Sequence, residues 1–197
     1  MKWKCAGLAG ALCFSLSSAT GQQLELVVDQ ASGTLEEAIV NSYVTPPNDL
    51  AQSFTPSLSA VGFVQFRSLI ANAPGGGGVT VVINLLDGSF NGSIISSTVP
   101  VFIVGAPRLE TFYFAENIPV IPGQLYFFSP VVQSPGSLDI GFKSPSPYLN
   151  GDLFINGTPS GAMSDLWFRE GVVVPEPTPG WLFLIGSGAF LWSRRSR

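Results

Sequence analysis

The run VTVVINLL, Val79 to Leu86, constrains the fold more than any other stretch of this chain. Val79, Val81, Ile83 and Leu85 alternate with Thr80, Val82, Asn84 and Leu86, and nearly all are apolar or β-branched. Branched side chains are stiff in a helix and pack well on a pleated surface, so the run reads as a strand covered on both faces. VGFVQFRSL places Val64 and Phe66 on one face and Phe63, Gln65 and Arg67 on the other. LELVVDQ, AQSF, IISSTVPVFI, ETFYFA, QLYFFSPVV, SLDIGFK and SDLWFRE read as further strands. Turn signals separate them: Pro74 with Gly75 to Gly78, Asp87-Gly88, Asn91-Gly92, Pro122-Gly123, Pro135-Gly136 and Asn156-Gly157. About eight to ten short strands at this spacing predict an all-β chain, an antiparallel β-sandwich or jelly roll. Val81, Ile83, Leu85, Phe127 and Ile140 are expected inside it. Between residues 22 and 174, LEEAIVNSY, Leu35 to Tyr43, is the one segment that suits a short helix.

Both ends of the chain have a different character. The first residues, MKWKCAGLAGALCFSLSSATGQQ, begin with Lys2 and Lys4 and continue into an apolar core from about Cys5 to Leu16. Small residues follow at Ser17, Ser18, Ala19 and Gly21. That is the layout of a signal peptide over residues 1–21, cleaved by signal peptidase after Ala19 or Gly21. The last residues, VVVPEPTPGWLFLIGSGAFLWSRRSR, hold three prolines between Pro175 and Pro179. Proline fixes φ and lacks an N–H, so this stretch predicts an extended linker. Gly180 to Trp192 carries no charge and predicts a short hydrophobic helix. It is short for a settled span, which takes roughly 20 apolar residues. Trp181 and Trp192 bracket it, and Arg194, Arg195 and Arg197 follow. Positive charge beside an apolar segment favours the cytoplasmic side, which would leave the preceding domain outside.

Together these termini resemble the PEP-CTERM proteins of Gram-negative bacteria. The resemblance rests on roughly the last 24 residues: Pro175-Glu176-Pro177, the apolar run, and Arg194-Arg195. It implies that residues 175–197 are a sorting tail, inserted transiently in the inner membrane and removed by an exosortase, an integral-membrane cysteine protease. The mature protein would then reach the cell surface or extracellular matrix. The same tail is also called an ice-binding protein C-terminal domain, a name that concerns sorting and implies no ice binding.

The remaining domain, residues 22–174, is long enough to bury about two-thirds of its unfolded surface. Cys5 and Cys13 both lie in the signal peptide, so this domain has no disulfide. Its basic side chains are Arg67, Arg108, Lys143 and Arg169, against twelve acids. No basic footprint for nucleic acid exists in that composition. An acidic surface of this kind weakly favours divalent cations.

The chain contains no histidine, which excludes His-based triads and His/Cys metal sites from residues 22–174. The glycine run Gly75 to Gly78 lacks the Gly-Lys-Ser/Thr ending of a phosphate loop and reads as a hairpin tip. Asp139, Asp152, Asp165 and Glu170 supply carboxylates for glycosidase chemistry, but no spacing selects a pair. YLNGDLFING offers Asn150, Asp152 and Asn156 as oxygen ligands for calcium, or as ordinary turn residues. For a glycan, Tyr148 in the polar loop KSPSPYLNG is the first exposed-aromatic candidate and Trp167 the second. Strand alternation puts Trp167 on one face with Asp165 and Arg169, where its ring would stack on a sugar or cover the core edge.

The layout ahead of the tail also resembles the jelly-roll modules common in such proteins, which are similar to carbohydrate-binding modules. AQSFTP, IPGQLYFF and SDLWFREG carry that resemblance, and it implies no particular binding residue. The expectation is an exported, non-catalytic structural or glycan-binding β-sandwich, with exopolysaccharide as the candidate partner. The rival is an extracellular polysaccharide-active enzyme with paired carboxylates. An ice-binding surface would want a regular threonine array, and Thr45, Thr55, Thr80, Thr98 and Thr111 show no period.

Replacing Pro175-Glu176-Pro177 with alanines is expected to trap full-length protein in the membrane fraction. Replacing the three arginines should weaken that retention. Mass spectrometry of the C-terminus of surface or matrix material checks this; mature protein still carrying Trp181 to Arg197 would make the tail a permanent anchor.

Overall fold

A computed structural model describes residues 24–33, 41–44 (backbone only), 49–105, 107–145, 148–160 and 164–175. Every regular element among them is a strand. In chain order these are β1 (Leu24–Ala31), β2 (Asn41–Val44), β3 (Leu50–Phe54), β4 (Ala60–Asn72), β5 (Val79–Asp87), β6 (Ile94–Ser97) and β7 (Val101–Ile103). There follow β8 (Arg108–Pro119), β9 (Tyr126–Val132), β10 (Ser137–Lys143), β11 (Leu153–Ile155), β12 (Thr158–Pro159), β13 (Asp165–Leu166) and β14 (Phe168–Pro175). The compact unit that contains them runs from Leu24 to Pro175. The segment read as a signal peptide, residues 1–21, and the residues from Glu176 onward lie outside the described residues.

The strands form two antiparallel sheets, a β-sandwich. The first has the order β1-β14-β4-β10-β13, with β2 added on β10 and β8 on β4. The second has the order β12-β11-β3-β9-β5-β6, with β7 also paired to β5. Alternation decides which side chains meet between them. Val79, Val81, Ile83 and Leu85 of β5 face inward and are fully buried, as are Val64 and Phe66 of β4 close by.

Phe128 of β9 is the ring around which the sheets close. It stacks on Phe54 of β3 at 4.0 Å and meets Phe66 edge-on at 6.5 Å and Phe168 at 6.3 Å. Phe54 and Phe128 belong to one sheet, Phe66 and Phe168 to the other. Each such aromatic pair adds about 0.5–1.5 kcal/mol to the area it buries.

The outer face of the second sheet is covered as well. Leu86, Phe127 and Ala51 form a separate buried cluster under Phe90 and Phe154. Phe127 meets Phe154 edge-on at 5.0 Å. Phe127 is therefore buried as expected, but on the far side of its sheet, because its neighbour Phe128 takes the inward position. At the β11–β12 hairpin, Asn156 (φ 50°) and Gly157 (φ 80°) both adopt the left-handed conformation that a two-residue turn requires.

Three expectations change. Asn41, Ser42 and Tyr43, read as the end of a helix, belong to β2 and pair with Phe142, Gly141 and Ile140 of β10 respectively. A sheet edge offering backbone partners outweighs the weak helical preference of a short segment; the rest of that segment lies outside the described residues. Pro175, expected to open the linker, is the last residue of β14, paired with Leu24. A strand end tolerates proline because its missing N–H interrupts no further pairing. SDLWFRE is two strands: Leu166 pairs with Phe142 of β10, whereas Phe168 pairs with Phe66 of β4. Trp167 stands between them, its N–H donating to Gly141 O at 2.9 Å.

Phe128→Ala is expected to cost about 3–5 kcal/mol, because the cavity would open at the centre of both sheets. Phe102→Ala, at a ring 60 % exposed, should stay within about 0.5 kcal/mol. Denaturant midpoints of the two variants check the pair.

Candidate functional site: a buried polar seam and an open groove

The motif AQSF puts Gln52 in the middle of β3, where its side chain turns inward and is fully buried. A buried amide must find partners for both ends. Its Nε2 donates to Asp165 Oδ1 at 2.9 Å and to Ser53 O at 3.1 Å, and its Oε1 accepts from Leu166 N at 2.8 Å. Asp165 is itself fully buried, and its other oxygen accepts from Tyr148 N at 3.1 Å. Gln52 lies on the second sheet and Asp165 on the first, so this clamp ties the two sheets together at the fork beside Trp167.

Tyr148 carries the seam onward. Its ring meets Phe168 edge-on at 5.2 Å, and its hydroxyl accepts from Thr55 N at 3.1 Å. The same hydroxyl donates to Gln30 Oε1 at 3.4 Å. Burial pushes the Tyr148 phenol up to about 12; the Thr55 N–H opposes this, and the Glu170, Asp29 and Asp165 carboxyls reinforce it.

Beyond Gln30 the seam ends at two carboxyls. Asp29 sits at an irregularity of β1, between Val28 and Gln30 in the pairing with β14. It accepts from Ser57 N at 2.7 Å, Leu58 N at 2.9 Å, Gln30 Nε2 at 3.2 Å and the Ser57 hydroxyl. Burial works to raise its pKa, but these donors outweigh that and hold it below the ordinary carboxyl value. Glu170 lies opposite Gln30 in the β1–β14 register and is fully buried against the Asp29 carboxyl and the Gln30 backbone, with neither oxygen in a well-aligned hydrogen bond. Burial pushes Glu170 up to about 9, with Asp29 adding to the rise and the Gln30 backbone opposing it. The hydroxyl oxygen of Ser32, just past the end of β1 with its N–H on Phe168 O, is likewise buried without a partner.

A second feature lies at the other end of β14. Between the pairs Val61–Ile118 and Phe63–Tyr113, Phe114 to Asn117 of β8 stand against Gly62 alone. The Asn117 amide folds over Gly62, its Oδ1 accepting from Val173 N and its Nδ2 donating to Val173 O, each at 3.0 Å. A Cβ on Gly62 would come within 1.9 Å of that Oδ1 and 2.8 Å of Val173 N, so a side chain there would push the Asn117 amide off Val173. The bulge opens a groove of about 280 Å³ between Leu24, Val173 and the bulged residues. Tyr113 is 37 % exposed at its edge, and the exposed Glu116 lines it as well.

The residues expected to bind a sugar are distributed otherwise than alternation suggested. Tyr148, Trp167 and Asp165 are all buried, so none is displayed at the surface. Trp167 carries the half-buried Arg169 guanidinium at 5.5 Å from its ring. Asp165 belongs to the clamp. The loop expected to hold calcium is built as turns: Asn156 Oδ1 accepts from Asp49 N at 3.0 Å and Asn150 O from the Thr55 hydroxyl at 3.1 Å. The Asp152 backbone exchanges hydrogen bonds with Ser53 at both its N–H and its carbonyl. Asp139 is on β10 with one oxygen buried and unpartnered, and burial raises its pKa. Of the residues expected to form a sorting signal, Pro175 ends β14, while Glu176, Pro177, Arg194 and Arg195 lie outside the described residues. Sequence reading singled out neither Asp29 nor Gln52; the available signal was a polar residue embedded in each of the apolar runs LELVVDQ and AQSF.

Asp165→Ala would strip the Gln52 amide and the Tyr148 N–H of an acceptor while both stay buried. A loss of about 2–5 kcal/mol is expected from two such orphaned donors. Asp165→Asn keeps an oxygen acceptor and should lose less; urea unfolding of both variants checks the order.

No protein-family model and no curated protein matches this chain.

Proposed function

We propose that this chain is an exported bacterial protein of the cell envelope or extracellular matrix, sorted by a PEP-CTERM-type tail, with a non-catalytic, glycan-binding β-sandwich. The observation that carries the binding role is the groove at the β8 bulge. Its shape is held by the two Asn117 hydrogen bonds, so a ligand would meet a preformed surface. Tyr113 offers the apolar face of a ring to a sugar, and Glu116 offers acceptors for its hydroxyls. An extended polysaccharide suits an open groove better than a compact small molecule does.

Successive strands from β3 to β5 and from β8 to β11 pass from one sheet to the other at each step, which supports a jelly-roll connectivity. The signal-peptide layout and the basic, apolar C-terminus support export, exosortase processing and release to the surface or matrix. A polysaccharide-active enzyme would need two carboxyls converging on a substrate. Asp29 and Glu170 have proton affinities pushed in opposite directions, as an acid and a base would. Glu170 is fully buried, however, so a glycosidic oxygen has no route to it, which favours the non-catalytic reading.

Glycan-array and matrix-polysaccharide pull-down measurements test the binding role. Tyr113→Ala and Glu116→Gln are expected to weaken retention several-fold with the unfolding midpoint unchanged. Trp167→Ala and Tyr148→Ala should lower the midpoint instead. Binding indifferent to both groove variants would remove the groove from the proposal.

A further inference from the structure

Among the described residues, the carboxyl of Glu170 faces the Asp29 carboxyl and the Gln30 backbone. Both of its oxygens are buried without a well-aligned donor, and a carboxyl set against a second carboxyl needs a shared proton or a cation. The groups around it are oxygen-rich. Gln30 lies directly opposite in the β1–β14 register, and Ser32, with its own orphaned hydroxyl, follows just past the end of β1. Asp29, at the strand irregularity just before Gln30, is half-buried and leads out to the exposed Ser57. Arg169, the next residue along β14, offers no compensation, since its guanidinium lies over the Trp167 ring.

We propose that this end of the seam is a divalent-cation site suited to calcium, with Glu170 as its principal ligand and Gln30 Oε1, Ser32 Oγ and Asp29 as supporting oxygens. Calcium takes oxygen ligands in irregular geometry and accepts a bidentate carboxylate, whereas magnesium demands a near-ideal octahedron. The set contains no nitrogen or sulfur ligand that would favour zinc or copper. The ion would neutralise the two neighbouring carboxyls and clamp β1 to β14, tying the first strand of the sandwich to its last. It would enter past Asp29, the one carboxyl of the pair that reaches the surface. This site is separate from the turn residues Asn150, Asp152 and Asn156 and from the groove at β8.

The titratable groups facing Glu170 are Asp29 on its paired strand and, through Tyr148, the far carboxyl Asp165. Because the Glu170 pKa is raised above its unfolded value, the ion-free fold holds a proton there that the unfolded chain releases. Ion-free stability contributed by this group is therefore present at low pH and lost as pH rises toward about 9. Calcium must displace the same proton, so its affinity rises over the same range.

The test uses the full chain in mild detergent, stripped with EDTA, desalted and titrated with calcium chloride at pH 5 and pH 8. Calorimetry is expected to give one ion per chain at pH 8, with Tm raised by several degrees and affinity at least tenfold weaker at pH 5. Glu170→Gln should weaken binding at least tenfold while leaving the ion-free Tm equal or higher. Ser32→Ala should weaken it several-fold, and Asp152→Asn should leave it unchanged. No heat and no Tm shift with wild-type chain at pH 8 would overturn the proposal, leaving a proton or a water on Glu170. So would wild-type affinity in Glu170→Gln, or loss of binding in Asp152→Asn alone. Should Glu170→Gln fail to fold, the wild-type titration and Ser32→Ala still decide.

Discussion

A buried carboxylate, Asp165, held between the Gln52 amide and the Tyr148 N–H, is the constraint on which the rest of this sandwich depends. Packed phenylalanine rings supply area, but area is tolerant: a sheet can slide against another and still bury much the same surface. Hydrogen bonds to a buried charge are not tolerant, because a missed partner leaves a desolvated charge behind. The clamp therefore fixes where β3 meets β13. With Leu166 N on Gln52 Oε1, it also fixes the point at which the last strands leave β10 and join β4.

From that clamp a line of polar side chains runs through Tyr148 and Gln30 to Asp29 and Glu170. A domain without cysteines depends on its core and on such interior bonds to hold its ends together. Every member of the line up to Asp29 is satisfied, and Asp29 is satisfied by four donors. Glu170, set against the Asp29 carboxyl without a well-aligned donor, lies where the first and last strands pair, and the Ser32 hydroxyl is buried without a partner as well.

The groove at β8 follows from a different kind of irregularity. There the backbone ladder is broken by a bulge, and an amide side chain stands in for the missing strand bonds. Gly62 makes this possible by leaving room for Asn117. One feature is thus an interior seam short of a charge partner, and the other a surface opening rigidified by a side chain. Both border β14, which pairs with β1 on one side and β4 on the other.

The sequence by itself determined the strands. Period-two alternation of branched and aromatic residues, punctuated by Asn-Gly and Pro-Gly turns, was enough to mark β5, β4, β9 and β10 and the residues buried along β5. Alternation assigns each side chain to a face, but it does not say whether that face is covered. Phe127 was legible as buried, yet its place under Phe90 and Phe154 depended on a loop folding back over the outer sheet. Trp167 and Tyr148 looked displayed because their neighbours are polar. The strand fork and the Gln52 clamp drew both rings inside, and neither has a local signature. Asp29 and Glu170 are distant in the chain and meet only because β1 pairs with β14. Local propensity and periodicity are properties of neighbours in sequence; burial and charge pairing are properties of neighbours in space, which only the tertiary structure decided.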